Sequence, residues 1–300
     1  MKPDFPYYDA MDLIQQHLVP RTYVEIGVST GRTFQLALPG TRCVGIDPAP
    51  RLARPVTRGQ QIFTLSSDEF FATHDLRAVL GGDPLDLAFI DGMHHFEFAL
   101  RDFINLERAA HPESTILIHD CLPENEEGAA RDRTTVLWSG DVWRLIVLLR
   151  RWRPDLEVSV ADWPPTGLGV VRHLDPGSTV LADHYHELVE HYLSVPYSAL
   201  DDGTMDDQLN RVPGTCCATS FRRVRTVRAV SSGSRPDGPP TRWFRRPDEP
   251  SPTAGRHVVG PPVRRSRCRT GTDGPPGTRQ SERPSEEPRA RERSRSGTMG

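Results

Sequence analysis

Lysine is almost absent from this chain. Lys2 stands alone against 36 arginines. Cysteine is also scarce: five are present, none in Cys-x-x-Cys spacing, and only Cys216 and Cys217 are neighbours. That argues against a disulfide scaffold or a cysteine-based structural zinc site and suits a reducing compartment. No apolar run approaches the ~18 residues of a membrane-spanning helix. The first ten residues lack the basic-then-apolar order of a secretion signal. The expectation is a cytoplasmic protein without a membrane partner. Hydrophobic residues make up 36% of the chain, below the roughly 45–50% of a globular average that also counts glycine.

A net charge of −3 conceals a division along the chain. Residues 1–207 hold 17 Lys and Arg against 32 Asp and Glu, a balance of −15; residues 208–300 hold 20 Arg against 8 acids, a balance of +12. The same 93 C-terminal residues carry 13 of the 28 prolines and 10 of the 24 glycines. Such a composition cannot bury enough apolar surface to offset the entropy of ordering, so the sequence predicts a folded domain over 1–205 and a disordered Arg/Pro/Gly-rich tail over 206–300. A basic arm can bind nucleic acid. An Arg/Pro/Gly/Ser/Thr mixture is also what a GC-rich coding sequence yields in a wrong reading frame, and this second reading is preferred, so nucleic acid is not the expected partner.

Within the first two hundred residues, short apolar runs alternate with helical patterns. Strands are predicted at 22–27, 42–47, 61–65, 85–90, 115–119, 156–161 and 168–172, and helices at 32–38, 68–80, 96–110 and 141–152. β-branched strands without polar alternation, separated by helices, indicate a parallel sheet covered on both faces. The last two strands are joined by only six residues, Asp162 to Gly167, too few for a helical crossover, so they form an antiparallel hairpin. The predicted fold is a seven-stranded, doubly wound α/β sheet, mostly parallel, whose ligands sit beyond the carboxyl ends of the strands.

The chemistry-bearing residues fall at those ends. Glu25-Ile26-Gly27-Val28-Ser29-Thr30-Gly31 runs from a strand into a small-residue turn. Its glycines let backbone approach a ligand closely, or serve only a tight turn. The dinucleotide fingerprint Gly-x-Gly-x-x-Gly is missing, which disfavours a nicotinamide enzyme. Asp47 closes the next strand, 22 residues after Glu25, where an acid can accept from both hydroxyls of a ribose. Ser67 and Asp68 follow the third strand; helix capping is their alternative role. Asp91-Gly92 closes the fourth strand.

In order and spacing, Glu25-Ile26-Gly27-Val28-Ser29-Thr30-Gly31, Gly45-Ile46-Asp47, Ser67-Asp68 and Phe89-Ile90-Asp91-Gly92 resemble class I S-adenosylmethionine-dependent methyltransferases, a Rossmann-like family. Asp91-Gly92-Met93-His94-His95-Phe96-Glu97, with Ile118-His119-Asp120 further on, resembles the bacterial macrolide-sugar and catechol-type O-methyltransferases. The resemblance covers residues 20–195. It implies S-adenosylmethionine as cofactor and a small-molecule hydroxyl (sugar, phenol or natural product) as methyl acceptor. It implies that Glu25, Gly27, Ser29 and Gly31 flank the methionine part, Asp47 holds the ribose, Ser67 and Asp68 lie by the adenine, and Asp91 borders the same pocket. Ser29 departs from the glycine common at its position. A non-catalytic cofactor-binding or regulatory module is the alternative, and a homo-oligomer is left open.

The acceptor side follows from the same resemblance. Catechol-type relatives hold Mg²⁺ with an acid after strand four and an acidic or amide pair after strand five. Asp91 and Asp120 match the first two positions. The third is Cys121, a soft ligand for a hard ion, leaving Glu97, Glu124 or water to complete the set. His94 stands three residues after Asp91, where those relatives carry a lysine base, with His95 and His119 as rivals. A neutral imidazole can take the proton of an acceptor hydroxyl. Residues 133–143 read as an acceptor-covering loop with Trp138 as a stacking surface, or as plain core packing for Trp143. Residues 163–167 read as a rigid turn.

Overall fold

The structure, a computed structural model, describes residues 6–200 and 204–214. In chain order the elements are α1 (Pro6–Leu18), β1 (Thr22–Ile26), β2 (Arg42–Ile46), β3 (Gln60–Phe63), α2 (Ser67–Thr73), α3 (Leu76–Val79), β4 (Leu87–Ile90), α4 (Phe96–Ala109), β5 (Thr115–His119), α5 (Trp143–Trp152), β6 (Glu157–Ala161), β7 (Leu168–Arg172), α6 (Val180–Asp183), α7 (Tyr185–Ser194), α8 (Met205–Leu209) and β8 (Arg211–Val212). They build one sheet in the order β3-β2-β1-β4-β5-β7-β6-β8. The first five strands are parallel, with β1 beside both β2 and β4. β7 runs antiparallel between β5 and β6, the predicted hairpin.

Alternate strand residues face opposite sides, and both sides are buried. Val24, Ile26, Val44, Ile46, Ala88, Ile90, Ile116 and Ile118 pack in one core with residues of α2 to α5 and α7. Tyr23, Cys43, Leu87, Phe89 and Leu117 pack in the other with Tyr7, Met11 and Ile14 of α1 and with Phe34. This two-sided burial is why the strands read as continuous apolar runs.

Four sequence expectations need correction. The helix expected at 32–38 is only a 3-10 turn at Phe34–Leu36; Gly31 at φ +74° and Gly40 at φ +94° bound it, leaving too few residues for a full helix. The helix expected at 68–80 is two: His74 is extended and Asp75 starts a new turn by accepting from the Arg77 N–H. The N-cap of α2 is Ser66, one residue before the expected Ser67 or Asp68, in a reciprocal capping box with Glu69. The sheet has eight strands rather than seven, because β8 pairs in parallel with β6.

That last pairing moves the domain boundary. Leu209 is fully buried, the Asn210 side chain donates to the Val158 carbonyl at 2.8 Å, and Arg150 holds the carbonyls of Asp207 and Gln208. The folded part therefore continues through Gly214, past the composition break. The remainder of the predicted disordered tail lies outside the described residues.

A chain ending at Gly214 should melt with the full-length protein. One ending at Asp207 loses Leu209, Asn210 and β8, and should melt about 4–8 °C lower, the effect of exposing one buried leucine and its neighbours. Equal calorimetric midpoints for the two truncations would contradict this boundary.

Candidate active site

The parallel strands β1, β2, β4 and β5 bring their carboxyl ends to one edge, where β1 and β4 neighbour each other although the chain reverses direction of growth between them, the place such sheets bind ligands. At the end of β1, Gly27 has φ +88°, and a side-chain carbon there would lie 2.0 Å from the Asp91 carbonyl oxygen. Glycine is thus required by the approach of two strand ends, independent of any ligand. Ser29 also adopts a positive φ, +49°. Its N–H donates to Asp47 Oδ2 at 2.7 Å, while the Ala49 N–H donates to Asp47 Oδ1 at 2.7 Å. Asp47 therefore ties the first two strand-end loops together and keeps one lone pair free on each oxygen. Gly31 abuts Leu52, and the Ser29 and Thr30 carbonyls accept from the Arg51 and Ala53 N–H groups.

Glu25 is turned inward. It is fully buried and accepts from the Tyr23 hydroxyl at 2.6 Å and the Thr33 hydroxyl at 2.7 Å. Burial pushes its carboxyl up to about 8 against the pull of those two donors. Its part is to anchor the turn after β1. Asp68 is held at the surface by a two-pronged Arg101 contact, at 2.8 and 2.7 Å. Ser67 opens α2 near the buried Asp102, whose carboxyl burial pushes up to about 7.

The ends of β4 and β5 converge most closely. His94 Nδ1 lies 2.6 Å from Asp120 Oδ2, and His94 Nε2 lies 3.6 Å from Asp91 Oδ1. His119 Nδ1 sits 3.1 Å from Asp91 Oδ1 and 3.1 Å from Asp120 Oδ2. Asp120 Oδ1 accepts from the Thr166 hydroxyl at 2.5 Å. His94 and Asp120 both hold left-handed backbone, φ +60° and +62°, the kind of local strain that packing must sustain. Burial disfavours the charged His94 ring, but Asp120 and then Asp91 outweigh it and raise its pKa. The same carboxylates outweigh burial at His119 and raise it well above its ordinary value. In return the two imidazoles overcome the burial of Asp120 and hold its carboxyl well below the usual range.

Residues 122–142, without helix or strand, cover this cluster. Trp138 stacks on His94, with ring centres 5.1 Å apart and planes within 10°. Its indole N–H donates to the Ala130 carbonyl. Arg131 grips Glu97 through both terminal nitrogens and Asp141 through one. Asp141 accepts from the Phe96 N–H and its own N–H reaches the His94 carbonyl. Gly140 is required here, because a side-chain carbon would lie 1.9 Å from the His94 carbonyl oxygen. Trp143, by contrast, is core.

Among the three candidate bases, His95 Nε2 is at 3.1 Å from the Arg131 carbonyl, and His119 is buried beneath the Tyr7 ring at 4.4 Å. His94 keeps a quarter of its side chain exposed. Sequence reasoning missed Tyr7, Arg131 and Thr166. Thr166 belongs to the segment read as a rigid turn, yet its hydroxyl fixes Asp120.

Asp91, His94 and Asp120 place three ligand atoms within 4.8 Å of one another. Cys121 cannot extend the set, since its thiol is buried against the Ile118 and His119 carbonyls. Glu97 is bound to Arg131 and Glu124 is exposed. Two carboxylates and an imidazole suit a borderline transition ion better than Mg²⁺, which demands oxygen ligands in a near-octahedral shell. The residues do not fit magnesium.

Residues 24–121 match the family model of a methyltransferase domain. No curated protein matches the chain. The solved structure of the O-methyltransferase TomG from Streptomyces achromogenes, involved in tomaymycin synthesis and in complex with S-adenosylmethionine, aligns over 58% of this chain and 83% of its own with 16% identity and a TM-score of 0.44. An O-methyltransferase from Bacillus cereus in complex with S-adenosylhomocysteine aligns over 57% and 81%, with 13% identity and a TM-score of 0.42. The matched residues run from β1 to just past β5 and include the strand ends that carry Asp47, Asp91 and Asp120. No helix among the described residues is long and apolar enough to cross a membrane.

Replacing Thr166 with valine removes the hydroxyl that donates to Asp120 Oδ1 and should lower the unfolding free energy by about 1–3 kcal/mol. Urea titration measures it; an unchanged midpoint would show that Asp120 is not held by this bond.

Proposed function

We propose that the protein transfers the methyl group of S-adenosylmethionine to a hydroxyl of a small molecule in the cytoplasm, with His94 as the proton acceptor. The observation that supports this reading best is the His94–Asp120 contact at 2.6 Å, made by a ring that keeps a quarter of its side chain exposed in a cluster otherwise closed by Trp138, His119 and Thr166. The chain fits the cofactor on its own terms: Asp47, 8% exposed at the end of β2, retains acceptor capacity, and Asp102 Oδ1 is buried without a partner beside the same strand ends. Two buried free thiols, Cys43 and Cys121, suit a reducing compartment.

S-adenosylmethionine, when bound, supplies a methyl group already activated on a sulfonium. What remains for the protein is alignment and proton removal. Asp47 holds the two loops that would flank the cofactor's ribose and amino-acid parts. Asp120 orients the His94 ring from one side and Trp138 flattens it from the other. The ring takes the hydroxyl proton as the acceptor oxygen attacks, and Asp91 and Asp120 stabilise the imidazolium so formed. No step runs through a metal.

His94 must be neutral to act. Its pKa is raised, so turnover should be weak below its ordinary range and climb as pH rises through the elevated value. Asp120→Asn removes the main stabiliser of the cation and should shift that rising limb toward lower pH. His94→Ala should lower kcat by about 10²–10⁴-fold, while chelators leave the rate unchanged. Product detection by mass spectrometry against a panel of sugars, phenols and other hydroxylated acceptors provides the assay. Full activity in His94→Ala would end the assignment of the base.

The cofactor half is tested separately. Asp47→Ala should weaken binding of S-adenosylhomocysteine by about 1–3 kcal/mol in calorimetry, the range for losing hydrogen bonds to an ionised group. Unchanged affinity in a folded variant would remove Asp47 from the cofactor site.

A further inference from the structure

A second cleft lies at the other end of the strands. The crossovers from β1 to β2 and from β2 to β3 both pack on the Phe34 side of the sheet, through Leu36 and Leu52. Parallel crossovers usually carry a helix. Here the first holds only the 3-10 turn Phe34–Leu36, and residues 47–59 hold neither helix nor strand. The space between the two segments stays open as a cleft of about 460 Å³, within the roughly 300–1,000 Å³ of small-molecule sites. Cys43 and Gln60, at the amino-terminal ends of β2 and β3, line it. Asp47 and the candidate active site lie at the carboxyl ends.

The walls divide by chemistry. Buried Cys43 and half-buried Ala37 and Leu38 give an apolar base. Arg54, Thr57, Arg58 and Gln60 bring donors to the rim, and no acidic residue lines the cleft. Among the described residues neither guanidinium has a hydrogen bond or an ion pair. The backbone that carries them is tied down: the Arg54 carbonyl accepts from Gln35 Nε2 at 2.9 Å, and the Ala53 N–H donates to the Thr30 carbonyl at 2.9 Å. Gln60 Oε1 accepts from the Thr57 N–H at 2.9 Å, which leaves the Gln60 amide N–H groups available. Over residues 1–207 the charge balance is −15, so two unpaired arginines on one acid-free cleft reverse the local sign.

We propose that this cleft binds a small-molecule phosphate monoester with an apolar body, the phosphate held by Arg54 and Arg58 and the body resting over Cys43, Ala37 and Leu38. A phosphate monoester carries nearly two negative charges at neutral pH and three strong acceptor oxygens. Those match two guanidinium groups, which bind phosphate through paired N–H donors, with the Thr57 hydroxyl beside them. A single carboxylate would leave one of the two cations uncompensated. The site is separate from the cofactor and acceptor ends and does not rest on the methyl-transfer reading.

Calorimetry on the full chain with phenyl phosphate tests this. Wild type should bind one equivalent saturably, and should prefer it by about 10-fold or more to inorganic phosphate, which lacks the apolar body, and to benzoate, which lacks the second charge. Replacing both Arg54→Gln and Arg58→Gln should weaken phenyl phosphate by at least about 10-fold, the effect of losing charge-assisted hydrogen bonds. Ala37→Phe fills the base and keeps both charges, and should weaken it comparably; a cooperative melt shows that each variant folds. Should Ala37→Phe not fold, the exposed arginine pair carries the test by itself. Unchanged affinity in the double arginine variant, the result that binding to the arginines of residues 208–300 would give, overturns the proposal. So does unchanged affinity in folded Ala37→Phe, a wild type indifferent between phenyl phosphate and benzoate, or one that binds neither.

Discussion

Two carboxylates at neighbouring strand ends, one of them almost wholly buried, cannot remain there without cations. Asp91 and Asp120 satisfy that demand with His94 and His119, each ring placed by a different element. The exchange is mutual. Both acids raise the pKa values of the two imidazoles, and the imidazoles hold the Asp120 carboxyl ionised, so the cluster is electrostatically closed from within. A hard cation is not needed to neutralise it, and a proton can be held at His94 with little reorganisation of the surrounding charges. The same pairing explains why the backbone tolerates positive φ at two non-glycine positions: the side-chain contacts fix what the backbone would otherwise avoid.

The covering segment extends this constraint to distant parts of the chain. Residues 122–142 gain no regular hydrogen-bond ladder, so their placement depends on a few strong contacts. Arg131 joins the first turn of α4 to Asp141, Gly140 lets the chain cross the His94 backbone, and Trp138 completes the wall of the imidazole. A buried Arg153–Glu107 pair, with both prongs near 2.9 Å, locks α5 to α4 beneath. This edge of the sheet is therefore loop-built but rests on helices that are themselves cross-tied.

Much of this was readable before any coordinates. Apolar runs marked seven strands, the six-residue link marked the hairpin, and acids at strand ends marked Asp47, Asp91 and Asp120. Other features were encoded but unread: Tyr7, Met11, Ile14 and Leu18 carry the 3–4 spacing of α1, and Ser66 with Glu69 is a capping-box pair. Glu25 was correctly placed on its strand, but the alternation that turns it inward toward Tyr23 and Thr33 depends on which face each strand residue takes. The rest was not local. Thr166 reaches Asp120 across 46 positions and Arg131 reaches Glu97 across 34; no periodicity announces such pairs. A two-residue strand such as β8 lies below any pattern, which is why composition placed the boundary too early.

Asp120 sets the proton affinity of His94. Side-chain NMR titration of His94, assigned through His94→Gln, measures this directly in the resting protein, independent of any acceptor. The ring should titrate above its ordinary value near 6.5, and Asp120→Asn should bring it down while the spectrum of the folded core is preserved. A His94 that titrates at or below that value, and does not respond to Asp120→Asn, would contradict the account.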